Sequence, residues 1–186
     1  MLSHYSQKVL TAHEIGNVLS EVRASYAATK YAKEKIKACW PCKVVVTSGF
    51  FSPLGLHHLQ MLYDATKYGN FWIVIVNDDK ILKEKKGYVW ENEQSRIAKI
   101  ASLACVHYAC LWPESDVSGA LKLIRPDVFL NGGDVTLETL NKNEFRVCKE
   151  IKCRLVFDTK GKSGSSSQMI EQSLKAYNER TTFIVS

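Results

Sequence analysis

The sequence predicts an α/β fold: a doubly wound, Rossmann-like parallel sheet of about five strands, with helices on both faces and an N-terminal helical extension. Apolar runs recur at residues 44–46, 71–76, 106–112, 128–130 and 155–157, each short enough for a strand buried on both faces. Between them, apolar positions return at helical spacing. Glycine-containing loops follow three of the runs, and strand–helix alternation places all three on one edge of the sheet.

Taken in order, Thr11 and Glu14 have capping-box spacing, and Ile15, Val18, Leu19, Val22 and Tyr26 continue along one helical face. Pro41 ends that pattern, so residues 11–38 form a helical preface that docks on the sheet. The run at Val44–Val46 then breaks into Thr47–Gly55, where Gly49 and Gly55 permit backbone conformations closed to other residues and Pro53 fixes its own φ. From His58 the apolar residues Met61, Leu62 and Ala65 lie at helical spacing. The loop therefore ends at a helix N-terminus, whose open N–H groups and positive dipole end suit phosphate.

A stop at Lys67–Asn70 precedes the second strand, and Asn77, Asp78 and Asp79 close it as turn formers on the ligand-binding edge. Lys83–Trp90 reads as a charged loop with Gly87, placed to cover a site. Asn92 begins a helix with Ile97, Ile100, Ala101 and Ala104 on its buried face, which leaves Arg96 either to reach a phosphate or to pair with Glu93. After the strand at Val106–Trp112, Pro113–Asp116 turns into a short helix through Leu121, Leu123 and Ile124. The fourth strand enters Asn131-Gly132-Gly133-Asp134. Phe145, Val147, Cys148 and Ile151 mark a helix, Leu155–Phe157 the fifth strand, and Thr159–Ser167 a glycine- and serine-rich loop. Ser165 and Gln168 have capping-box spacing ahead of a last helix with Met169, Ile170, Leu174 and Tyr177 on one face. The tail at 181–185 either pairs as an edge strand or lies across a partner.

Length and composition restrict the function classes. A chain of 186 residues supports one domain with an adequate core: a helical extension at 1–42, an α/β core at 43–178 and a tail at 179–186. With 46% hydrophobic and 24% charged residues, neither disorder nor a membrane protein is indicated. The N-terminus lacks the apolar block of a secretory signal, so the expected location is cytoplasmic and the six cysteines are expected as reduced thiols. Cys39 and Cys42 have redox-pair spacing, but they follow a helix and precede a strand, the reverse of the order that chemistry uses. No second close Cys/His pair completes a metal site. The net charge of +6 favours anionic partners. Its tight cluster, Lys80, Lys83, Lys85 and Lys86, lacks interleaved aromatics, which argues for a solvated face or a phosphate-substrate loop and against nucleic acid.

The loop Gly49-Phe50-Phe51-Ser52-Pro53-Leu54-Gly55-Leu56-His57-His58 resembles the G-x-F-D-x-x-H-x-G-H signature of the cytidylyltransferase-like nucleotidyltransferase superfamily. VNDD at 76–79, Glu93-Gln94-Ser95-Arg96, PDVFLNGGD at 126–134 and SGSSSQMI at 163–170 follow in that superfamily's order, so the resemblance covers roughly residues 10–177. Within it, the sequence is most similar to the adenylyltransferase domain of ADP-heptose synthase and to glycerol-3-phosphate cytidylyltransferases. The chain carries Ser52 where the family has Asp, Gly55 where it has its first His, and His57 where it has Gly; His58 keeps its imidazole.

The resemblance implies transfer of a nucleotidyl group from ATP or CTP, with Mg²⁺ on the phosphates, to a small phosphorylated sugar or polyol, releasing pyrophosphate. It implies that His58, Lys83, Lys86 and Arg96 carry the chemistry. Ser48, Gly49, Phe50, Phe51, Gly55, His58, Asn131, Gly132, Gly133, Asp134, Ser165, Ser166 and Ser167 would hold the nucleotide. Family habit points to a homodimer, and no metal-ligating side chain is assigned. The altered signature sets a second reading beside the first, a nucleotide-binding protein of the same fold that has lost catalysis and serves as a sensor or assembly module.

Overall fold

The computed structural model describes residues 6–29, 43–132 and 135–157, with positions 170, 172, 173 and 175 beyond them. Outside the described residues lie the expected helical stretch to 38, Cys39 and Cys42, Gly133 and Asp134, the loop at 159–167 with Ser165, Ser166 and Ser167, most of the expected last helix, and the tail.

The chain alternates α1 (Ala12–Thr29), β1 (Val44–Gly49), α2 (Leu56–Ala65), β2 (Phe71–Asn77), α3 (Asp79–Lys86) and α4 (Glu93–Ser102). It continues through β3 (Tyr108–Trp112), α5 (Ser118–Ile124), β4 (Val128–Asn131), α6 (Lys142–Glu150) and β5 (Arg154–Phe157). The strands form one parallel sheet in the order β3-β2-β1-β4-β5. The doubly wound, five-stranded expectation holds, and the order reverses between β1 and β4, the position where such sheets bind ligands.

Side-chain alternation divides the core into two layers. Val44 and Val46 of β1 pack with Ile15 and Leu19 of α1, Leu121 and Ile124 of α5, and Val147 of α6. Val45 faces the other way, towards Met61 and Leu62 of α2 and Ile97 and Ile100 of α4. Burial on both faces is why the strands read as unbroken apolar runs rather than as alternating ones.

The expected capping box opens α1: the Thr11 amide donates to Glu14 Oε2 at 2.7 Å, and the Glu14 amide donates to Thr11 Oγ1 at 3.2 Å. Just before it, residues 8–10 run beside β3. The Ala109 amide donates to Lys8 O at 2.8 Å, the Leu10 amide donates to Ala109 O at 3.1 Å, and Lys8 Nζ donates to Val106 O at 2.9 Å. An otherwise open sheet edge is thereby covered.

Two sequence expectations are corrected. The segment expected as a charged loop from Lys83 begins as α3, because Asp78 caps it through Oδ1 accepting from the Ile81 amide at 2.9 Å and Gly87 ends it at φ +79°. The irregular stretch is only 87–92. The third strand starts at Tyr108 rather than Val106, which is buried in the bend before it.

The described cysteines, Cys105, Cys110, Cys148 and Cys153, are free thiols. Burial pushes the Cys110 thiol up to about 12, which suits a packing group and not a nucleophile.

The turn into β2 is close-packed around Lys43, whose carbonyl accepts from the amides of Asn70 at 3.1 Å and Phe71 at 3.2 Å. A Cβ on Gly69 would stand 2.3 Å from that carbonyl oxygen and 2.7 Å from Val45 Cγ2. Gly69→Ala is therefore expected to cost about 1–3 kcal/mol, read as a lower urea midpoint at unchanged slope.

At the other end of the same turn, the Trp72 amide donates to His107 Nδ1 at 3.1 Å, and the His107 ring stacks on Phe71 at 4.5 Å. Burial, with a smaller contribution from the Lys8 charge, holds His107 below its ordinary value of 6.5. The folded state thus binds this proton more weakly than the unfolded chain does. The contribution to stability is complete above the unfolded value and is lost as pH falls through the depressed folded one. His107→Gln keeps an acceptor for the Trp72 amide without the titration. Urea melts from pH 7 to 5 should show the variant gaining on the parent as pH falls; parallel profiles would contradict this.

Candidate functional site

The site is built where β1 ends at the switch point. Phe51 takes φ +52°, in the left-handed region that bulky residues avoid, yet it is 3% exposed because its ring packs into the layer under α2. That ring lies 3.4 Å from where a Gly49 Cβ would stand, so the glycine lets it fold back onto the strand end. A cis peptide bond joins Ser52 to Pro53. Among the described residues the hydroxyls of Thr47 and Ser52 are buried without a hydrogen-bond partner, leaving polar atoms at the base of this loop that the fold does not use.

Gly55 is the N-cap of α2 and offers no side-chain cap, so the positive end of the helix faces the loop. Its amide donates to His58 Nδ1 at 3.1 Å. In the neutral ring that bond fixes the tautomer: Nδ1 accepts, and Nε2 carries the proton as a donor. The His57 ring sits 3.8 Å from that of His58, and the Phe51 ring 5.2 Å from it on a tilted approach. Successive residues of a helix point about 100° apart, yet these two imidazoles meet.

Arg96 does not pair with Glu93. It is 1% exposed, and its guanidinium donates from Nη1 to Phe50 O at 2.8 Å, from Nη2 to Asp79 Oδ1 at 2.7 Å, and from Nε to Glu91 O at 3.1 Å. A group so enclosed offers no surface to a leaving phosphate. Glu93 instead accepts from the Asp79 amide at 3.0 Å. Lys83 and Lys86 lie exposed on α3, and between them Lys85 Nζ stands 5.7 Å over the Phe50 ring.

On the neighbouring strand, Asn131 is 6% exposed at the end of β4, one residue past the Thr47–Leu130 pair, and Gly132 O accepts from the Val135 amide at 2.9 Å. Ser48 lies half-buried in β1, opposite Ile75 of β2. Gly49, Phe50, Phe51, Gly55 and His58 thus run from the end of β1 through the loop into the first turn of α2, α3 is tied to that loop, and Asn131 and Gly132 stand at the adjacent strand end. Asp79 was missed as a site residue. Its signal was the pair Asp78-Asp79 followed by Ile81 and Leu82 and, after the lysines, by Gly87: an N-cap, a buried face and a C-terminal stop.

Among the described residues, no group of three or more His, Cys, Asp or Glu side chains could hold a metal ion, and no helix is long and apolar enough to cross a membrane.

The chain is 32% identical to the bifunctional protein HldE of Helicobacter acinonychis and 29% identical to that of Geobacter sulfurreducens, with 74% of this chain covered in each case. It spans 29% and 28% of those proteins. A crystal structure of the lipopolysaccharide core biosynthesis protein from Thermoplasma volcanium superposes with a TM-score of 0.55 at 25% identity, covering 64% of this chain and 98% of that one. The family model described as cytidylyltransferase-like matches residues 46–173, which takes in the β1 loop, α3 and the end of β4, and the chain belongs to that family.

Proposed function

We propose that this chain is a nucleotidyltransferase that moves the nucleotidyl group of ATP or CTP onto the phosphate of a small phosphorylated sugar or polyol. An acceptor phosphate oxygen attacks the α-phosphorus of the nucleotide, the bond to the bridging oxygen breaks, and pyrophosphate leaves. Such a reaction needs positioning and charge stabilisation and no covalent enzyme intermediate.

The observation that carries the proposal is the orientation of one imidazole: His58, in the first turn of α2, accepts from the Gly55 amide at Nδ1, which makes Nε2 the protonated nitrogen of the neutral ring. The His58 Nε2–H and the helix end stabilise charge growing on the phosphate oxygens, and Lys83 and Lys86 neutralise the pyrophosphate. Ser48, Gly49, Phe50, Phe51, Gly55, Asn131, Gly132, Gly133 and Asp134 cradle the nucleotide, with Ser165, Ser166 and Ser167 at its phosphates. Mg²⁺, entering with the nucleotide as part of the substrate, would draw charge off its phosphates.

The Thermoplasma volcanium structure, named as a lipopolysaccharide core biosynthesis protein, supports a sugar-type substrate, and family membership supports nucleotidyl transfer in general. A second reading, nucleotide binding without turnover, is favoured by Gly55 standing where the family carries an imidazole. One lost transition-state donor costs about 3 kcal/mol, or roughly a hundredfold in rate.

Thermal-shift titration with the nucleotides and pyrophosphate release with a panel of sugar and polyol phosphates separate the two readings. Turnover that falls about a hundredfold in His58→Ala supports transfer. Specific stabilisation by a nucleotide with no product above background, and no activity gained in Gly55→His, would leave the binding protein. No stabilisation by any nucleotide would sink both.

A further inference from the structure

Arg96 is the largest side chain of the described core that is fully buried, and it is charged. Each of its three donating nitrogens meets a different segment. Phe50 belongs to the loop that presents His58; Asp79 opens α3, the helix that presents Lys83 and Lys86; Glu91 lies on the approach to α4. Phe50 is held a second time through its ring by Lys85, and Asp79 a second time through its amide by Glu93.

A guanidinium is planar, with donors at fixed angles, so three acceptors bound to it are fixed relative to one another. An ammonium in its place carries the charge without the fork. We infer that Arg96 is a positioning residue of the phosphate site: it sets the separation between the loop carrying His58 and the helix carrying Lys83 and Lys86, and acts on the reaction only through them. The inference rests on the nucleotidyl-transfer reading and adds to it a residue that touches no substrate.

The test compares the full chain with Arg96→Lys, Asp79→Ala and Asp79→Asn by steady-state pyrophosphate release and by amide hydrogen exchange. Arg96→Lys keeps the charge and loses the fork; Asp79→Asn keeps an acceptor oxygen that Asp79→Ala removes. The Asp79 side chain is 31% exposed, so its variants decide the matter if Arg96→Lys does not fold.

A displacement of about 1 Å at reacting groups costs roughly a hundredfold in rate. Arg96→Lys and Asp79→Ala are therefore expected to lose kcat on that scale with little change in nucleotide KM, while Asp79→Asn recovers most of the loss. Amides at 50–58 and 79–86 should lose protection together, with α5 and α6 unchanged. Near-parental kcat in Arg96→Lys would overturn the inference, because charge alone would then suffice. So would protection lost uniformly through the chain, the mark of a residue that only stabilises the fold. Absence of turnover in the parent would sink the transfer reading by itself, and the exchange comparison would still decide whether Arg96 couples loop to helix.

Discussion

The arrangement at the sheet edge depends on one buried cation. Arg96 has a fully enclosed side chain, and its partner Asp79 is only partly exposed. A charge without water must be met by acceptors, and stripping a partner from a buried pair typically costs about 3–5 kcal/mol. Two of the three acceptors of Arg96 are backbone carbonyls, Phe50 and Glu91, which no substitution at those positions removes. The demand for satisfaction is thus transferred to the path of the chain. The loop after β1, the start of α3 and the approach to α4 must converge wherever the guanidinium is.

That convergence gives the lysines of α3 two explanations that reinforce each other. Asp79 in the first turn and Lys83, Lys85 and Lys86 in the last complement the helix dipole at its two ends, so part of the charge pattern is accounted for by helix stability alone. Direction is what stability leaves unexplained. With its first residue bound to Arg96 through the side chain and to Glu93 through the amide, α3 is oriented by the same group that holds the β1 loop.

Much of the frame was legible because burial on both faces writes itself into sequence as apolar runs. Val44–Val46, Phe71–Val76 and Val128–Leu130 lie within β1, β2 and β4, and Thr11 with Glu14 makes the box their spacing predicts. What was not legible was polar and long-range. Lys83–Trp90 looked like a loop because a helix this short and this charged shows little apolar periodicity, and its cap at Asp78 also reads as a turn. The sequence leaves Arg96 to a phosphate or to Glu93, and nothing in its spacing hints at a carbonyl 46 residues away at Phe50. A single charge is recognisable in sequence; what neutralises it is settled by topology.

The β1 loop shows what an altered signature can keep. Its shape comes from a glycine at 49, a Phe51 driven to positive φ by burial of its ring, an α2 start at Gly55, and a carbonyl held by Arg96. None of these requires an acid at 52 or an imidazole at 55. The backbone plan is supported from the core and from α4, and not by side chains at 52 and 55. Substitution at Ser52 and Gly55 therefore leaves the loop standing, and the position that keeps its imidazole, His58, is also the one whose ring closes a hydrogen bond to the loop's own backbone. Its retention thus has a structural reason in the fold itself. For that reason the loop's geometry argues more strongly for holding a nucleotide than for the rate at which it is turned over.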